Sequence, residues 1–198
     1  DPIPHKSKQL YYVQLDSWDV NDPFDEGLNP PDQLTFTDTS NLMKAQKAFR
    51  QSAQAQANGV IEPNDPEQLP MTVSARANSA DFFTMFDVPF IYGSGWTHQA
   101  DVNKEQVIVL NKTTNDKLFG GEDSVGQTIK LDGNIFKIVG VIDQWQPKPR
   151  FYDITTGAFN ESEDIFVPFS MIAEQKIGRS GNTNCWKSPG DGFTAFLA

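Results

Sequence analysis

The 198-residue sequence holds one cysteine, Cys185, so no disulfide can form within the chain. Its two histidines, His5 and His98, lie far apart. A structural zinc site takes about four ligands grouped in close-spaced pairs, and one cysteine with two scattered histidines does not supply them. No run approaches the roughly 18 to 20 apolar residues that a membrane-spanning helix needs, and mean hydropathy is -0.47. The G-x-x-x-x-G-K-[S/T] pattern that cradles nucleotide phosphates is missing, so the chain has no means of binding ATP in that manner. Cations are also scarce, 16 against 26 acidic residues, for a net charge of -10 at pH 7. A phosphate backbone or an anionic lipid surface is repelled by such a chain, and no run of Lys and Arg interleaved with aromatics makes a local exception. Cationic ligands are attracted, although acidic surfaces also serve simply to keep a protein in solution.

What is present is a mixed pattern of short strands and helices, which predicts the α+β class. Leu10 to Leu15 reads as a strand, and residues 19–34, rich in Asp, Asn, Pro and Gly, as a loop. Thr37 to Ser40 offer N-caps for a helix over Asn41 to Ala57, where Leu42, Ala45, Phe49 and Ala53 recur at helical spacing. Residues 60–69 read as a loop, Met71 to Ala77 as a strand, and Asp81 to Val88 as an aromatic-rich helix. The bare run VIVL at 107–110 is too short and too β-branched for a helix and fits a buried strand. Lys112 to Phe119 follows as a helix stopped by Gly120 and Gly121. Residues 128–131 and 135–142 are strands around Asp132-Gly133-Asn134, a strong hairpin signal. Gln144 to Gly157, with Pro147 and Pro149, is an extended connection. Ile165 to Pro168 is a strand, Met171 to Lys176 a short helix, residues 178–191 a loop, and the apolar end, GFTAFLA, has high strand propensity.

Five ordered blocks, the Phe82-Phe83 pair with the turn from Phe90 to Trp96, then VIVLN, KLFG, SVGQTI and FKIVGVI, resemble the periplasmic core domain of MacB-like ABC transporter permeases, relatives of the FtsX-like permeases. Any one block occurs by chance in many chains; five at these spacings do not. The resemblance implies two lobes, a β-α-β porter-like lobe of about 1–95 plus 160–198 and a smaller, mostly β insertion lobe of about 96–159. It implies a domain excised from between two membrane helices, in a protein of the Gram-negative inner membrane. There it couples cytoplasmic ATP hydrolysis to periplasmic export or extraction of a substrate such as an antimicrobial peptide, macrolide or lipoprotein. Implied partners are a second permease copy or paralogue, an ABC ATPase subunit or domain, and a periplasmic adaptor with an outer-membrane channel; no cofactor is implied. A periplasmic peptide-binding or sensor domain would share the charge and the aromatics and stands as the alternative.

Candidate chemistry is sparse. The acidic run Asp16, Asp19, Asp22, Asp25 and Glu26 lacks the glycine and glutamate of a calcium-binding loop, since Asn21 and Gly27 stand at those positions. Cys185 has no accompanying elbow or oxyanion turn. Asp153, Glu161, Glu163 and Asp164 contain enough carboxylates for acid and base roles, but loop acids are generally solvated. The expectation is therefore no catalytic residue and no metal. Phe82, Phe83, Phe86, Tyr92 and Trp96 are crowded into fifteen residues, which reads either as core or as an exposed interaction surface.

Overall fold

The computed structural model describes residues 4–6, 8–13, 34, 36–63, 67–153, 157–175 and 193–197. Among these residues are nine strands: β1 (Tyr11–Val13), β2 (Gln51–Glu62), β3 (Met71–Asn78), β4 (Phe90–Gly93), β5 (Val107–Asn111), β6 (Thr128–Leu131), β7 (Asn134–Ile142), β8 (Ile165–Pro168) and β9 (Phe193–Leu197). Five short helices accompany them: α1 (Phe36–Ala45), α2 (Asp81–Met85), α3 (His98–Asn103), α4 (Lys112–Phe119) and α5 (Ser170–Gln175). The α+β class is as expected.

All nine strands join one sheet in the order β1-β9-β2-β3-β8-β5-β7-β4, and β6 pairs with both β7 and β2. The path β2-β3-β8-β5-β7-β6 therefore returns to its starting strand as a closed ring of six. Its narrowest closure is between β2 and β6, where only Ile61↔Leu131 and Glu62↔Lys130 pair. Side chains reinforce that short contact. Lys130 Nζ lies 2.8 Å from Glu62 Oε2, the Val60 N–H donates to Asp132 Oδ1 at 2.8 Å, and the Asp132 N–H donates to the Val60 carbonyl at 3.0 Å. The β6–β7 turn is as read from the sequence: Asp132 (φ 47°) and Gly133 (φ 81°) form a two-residue connection with both φ positive, which Asp and Gly tolerate.

The VIVL run is buried along its whole length because both faces of its strand are covered. Ile108 and Leu110 point into the ring, joining Ala57, Ile61, Val73, Ala75, Ala77, Ile129, Leu131, Phe136, Ile138, Ile165 and Val167. Val107 and Val109 point the other way, with Phe166 and Ile142, into a second core built on Phe82, Phe83, Phe86, Trp96 and Tyr152. Strand pairing runs across the boundaries expected at about residues 96 and 159. β8 pairs directly with β5, β2 pairs with β6, and the ring core draws on residues from both sides.

One expectation is overturned. The helix read over Asn41 to Ala57 is instead α1, which ends at Ala45, followed by the twelve-residue strand β2. Gln46 takes a left-handed φ of 45° and ends the helix. Within β2, Ala53, Ala55, Ala57 and Ile61 are buried while Gln56, Asn58 and Val60 face outward, a period of two. Eight register pairs with β3 override the helical propensity of a Gln- and Ala-rich stretch. The loop read over 60–69 loses its first three residues to the same strand. The remaining elements from Met71 onward fall within a few residues of expectation, and α3 and the pairing of β4 with β7 are additions to it. Of the expected 19–34 loop only Leu34, which is buried, is described; the rest of it, the acidic run 16–26, Cys185 and the 178–191 loop lie outside the described residues.

Candidate functional site

The aromatic group singled out in the sequence is placed inward. Phe82, Phe83, Phe86 and Trp96 are 0 to 6% exposed, and Tyr92, half-buried, donates its hydroxyl to the Gly121 carbonyl at 3.2 Å. The rings meet edge to face, Phe82 with Phe86 at 5.0 Å and Phe83 with Trp96 at 4.8 Å between centroids. α2 carries Phe82 and Phe83 against β8 and β5, so their area is spent on the outer core; four of the five do not form an exposed interaction surface.

The loop acids behave differently from expectation. Asp153 and Glu163 are 2% and 1% exposed, enclosed with Arg76 and Arg150. Arg76 sits on β3 on the face opposite Ala75 and Ala77, which aims it into the outer core. Its Nε donates to Glu163 Oε1 at 2.8 Å, and its Nη2 bonds both Glu163 and Asp153. Arg150 Nη2 bonds Glu163 and lies 3.2 Å from Asp153, while its Nη1 donates to the Glu161 carbonyl at 3.1 Å. Tyr152 donates to Glu163 Oε2 at 3.0 Å, and the guanidinium carbons of Arg76 and Arg150 lie 5.0 and 5.3 Å from its ring centre. Two cations and two carboxylates make the cluster neutral. Burial opposes the charge on Arg76, and Glu163 and Asp153 outweigh it, holding the guanidinium above its ordinary pKa. Burial first, then Glu163, raises Tyr152. Both carboxylates are engaged by guanidinium donors, and Glu163 by the Tyr152 phenol as well, which suits clamping Arg150, Tyr152 and Asp153 onto the sheet rather than proton transfer. The missed signal was an arginine at an inward position of an alternating strand.

The other candidates do not converge on chemistry. Glu161 meets this cluster only through its backbone carbonyl, its side chain being exposed, and the half-buried Asp164 accepts from the Ser74 N–H and hydroxyl at 2.8 and 2.9 Å. His5 pairs with the exposed Asp87 at 3.0 Å, and His98 opens α3. Among the described residues no group of three or more His, Cys, Asp or Glu is placed to hold a metal ion, and no helix is long and apolar enough to cross a membrane.

Two clefts remain. One, about 410 Å³, is mostly polar and lies at the start of α4 beside Trp145, Glu161 and Asp164. The other, about 440 Å³, is largely apolar and lies between α1, α3 and the start of α5, lined among others by Phe36, Met43, Asp81, Asp101, Val102 and Phe169. Asp101 holds two elements at its wall, accepting from the Ala80 N–H at 2.7 Å and from the Trp96 indole at 2.8 Å. Burial pushes its carboxyl up to about 6, with Asp81 adding to the rise, while the two donors and His98 pull the other way. The folded chain thus binds more protons at Asp101 than the unfolded chain does between the ordinary value of 3.8 and about 6. Stability from this group is present below that window and is lost as pH rises through 6. Relative to Asp101→Asn, the wild type should gain about 1 kcal/mol between pH 7 and pH 5, read by urea denaturation; parallel profiles for the two proteins would contradict this.

Comparison with known proteins places this geometry. The family model described as the MacB-like periplasmic core domain matches residues 1–192. The macrolide export ATP-binding/permease protein MacB of Wolinella succinogenes is 27% identical over 154 residues, covering 77% of this chain and 21% of that protein. The pyoverdine export ATP-binding/permease protein PvdT of Pseudomonas syringae pv. syringae is 28% identical over 102 residues, 51% of this chain and 14% of that one. The chain thus spans about a fifth or less of the length of these relatives. Among solved structures, the periplasmic region of MacB from Actinobacillus actinomycetemcomitans shares the fold at TM-score 0.57 and 14% identity, covering 83% of this chain and 65% of that one. The extracellular domain of the noncanonic ABC-type transporter YknZ from Gram-positive bacteria does so at TM-score 0.57 and 15% identity, covering 96% and 81%. With five ordered sequence blocks, a matching α+β fold and a family model spanning nearly every residue, the chain belongs to the MacB-like periplasmic core domain family, the periplasmic domains of ABC transporter permeases.

Proposed function

We propose that this domain transmits movement within an inner-membrane ABC permease of a Gram-negative cell, coupling cytoplasmic ATP hydrolysis to export or extraction of a periplasmic substrate. The observation that carries the reading is the family match over residues 1–192. The architecture supports it. A ring closed by β2 and β6, covered on its outer face by aromatics and clamped by the buried arginines, is a stiff body able to pass a small helix displacement on as a rigid shift. We further propose that residues 96–159 and the remainder act as one mechanical unit. Hydrolysis is assigned to an ATPase domain or subunit outside this chain. A second permease copy, a periplasmic adaptor and an outer-membrane channel are the partners proposed, and a macrolide, antimicrobial peptide or lipoprotein the cargo.

The alternative, a peptide-binding or sensor domain, draws support from the 440 Å³ cleft. Crosslinking in cells separates the two. Single cysteines at the exposed Leu69, Ile135 and Phe159, in the full-length protein with Cys185 replaced, should capture a second copy together with an envelope adaptor or exported substrate. Recovery of the domain alone at all three positions, with no membrane-anchored form, would favour the sensor.

A further inference from the structure

The apolar cleft between α1, α3 and α5 combines three kinds of group that favour the same ligand. Phe36 and Phe169 stack at 5.5 Å with their planes 9° apart and line it. Aromatic walls attract organic cations through the ring quadrupole. Two carboxylates, Asp81 and Asp101, lie in the same lining. Asp101 is held in place by the Ala80 and Trp96 donors, and Asp81 accepts from the Gln51 N–H at 3.0 Å. The third kind is neutral. Gln51 and Ser170 also line the cleft, and Gln51 Oε1 and Ser170 Oγ are buried without a hydrogen-bond partner. Gln51 is 9% exposed, and its Nε2 is committed to the Met43 carbonyl, which leaves its oxygen as the unused acceptor.

Met43 and the 61%-exposed Val102 complete an apolar lining. The lining also includes Lys44 and His98, both exposed, whose heads can turn to water. A volume of about 440 Å³ suits a small molecule, since ligand sites run from roughly 300 to 1,000 Å³ and are mostly apolar with a few placed polar groups. The net charge of -10 raises the local concentration of cations around the whole chain.

We propose that this cleft is a binding site for a small organic cation, an ammonium group carried on a short apolar body. The ammonium sits against Asp81, Asp101 and the aromatic pair, and the apolar part lies along Met43 and Val102. This goes beyond the transport reading and does not depend on it, since the site lies wholly within the described chain.

The test uses three probes with one tail and different heads: hexylammonium, whose N–H groups can reach the unpaired acceptors, hexyl sulfate and hexanol. Each is titrated into the isotopically labelled 198-residue chain while amide shifts are followed. The expected result is saturable perturbation centred on Gln51, Val102 and Ser170 by the cation, at least roughly tenfold tighter than hexanol, with none by hexyl sulfate. Asp101→Asn should weaken the cation by about tenfold and leave hexanol unchanged. Should Asp101→Asn unfold, Val102→Lys, at an exposed position, places a competing charge at the mouth and should abolish cation binding with the fold intact. Equal binding of all three probes, no saturation by the cation, or a Val102→Lys variant that binds as wild type would each overturn the proposal. None of these outcomes bears on the permease reading, which rests on capture of partners in cells.

Discussion

Arg76→Ala should remove about 3 to 5 kcal/mol of folding stability, a large share of what a domain of this size possesses. Arg76 is 1% exposed and bonds both Glu163 and Asp153, so its loss leaves two buried carboxylates to share the positive charge of Arg150. The uncompensated charge dominates the cost, since the cavity alone would be refilled in part by Tyr152 and Gln54. In a thermal melt the midpoint should fall by roughly 6 to 20 °C, because for a chain of this length each kcal/mol moves it by about 2 to 4 °C. The charge argument also sets the result for a double variant. Arg76→Met with Glu163→Leu removes one charge of each sign, leaves Arg150 with Asp153 at 3.2 Å, and should recover most of the loss. The Tyr152 hydroxyl then lacks its acceptor, so recovery stops short of wild type. A double variant as unstable as Arg76→Ala would show that shape, not charge, holds this connection.

Gly140→Ala should cost about 2 to 3 kcal/mol, although it adds one methyl group to a strand. A Cβ at Gly140 would stand 2.4 Å from the Ser94 carbonyl oxygen and 2.8 Å from Phe90 Cε1. The first is backbone and has no rotamer through which to escape. Gly140 also lies where β7 meets irregular pairing on both sides: the register to β5 slips between Ile108 and Val109, and that to β4 between Phe90 and Tyr92. Moving the Ser94 segment displaces the turn that leads to Trp96, so the effect should reach the outer core and appear as a change in Trp96 fluorescence as well as a lower urea midpoint. A stability within about 0.5 kcal/mol of wild type would contradict this reading of the close approach.

Much of the fold was legible because local chemistry and tertiary contacts agree. Asp132-Gly133 demands positive φ and receives it; the Gly120 stop of α4 takes φ 64°; VIVL and IFVP are apolar along their length because both faces of their strands are covered. β2 was not legible because its residues give conflicting signals. Gln and Ala favour helix, and the alternation of Ala53, Ala55 and Ala57 is weak when alanine sits next to glutamine rather than to a charged residue. Only the partner strands β3, β9 and β6 decide it. The buried arginine cluster was hidden for a different reason: Arg76, Arg150, Asp153 and Glu163 are brought together by long-range pairing of β3 with β8, at separations near 90 residues. The apolar cleft was equally hidden, since its lining comes from four separate helices and the segments between them.

Spin labels in the membrane-embedded full-length protein, with Cys185 replaced, would show whether the domain moves as one body. One pair goes at Phe49 and Ile135, exposed positions on the two sides of the expected division, with labelled copies diluted among unlabelled ones; a second experiment places Ile135 alone on every copy. Between the nucleotide-free and ATP-trapped states, the Phe49–Ile135 distance within a copy should stay unchanged while the Ile135 distance between copies shifts. A shift within the copy, or no shift between copies, would contradict a rigid transmitting domain.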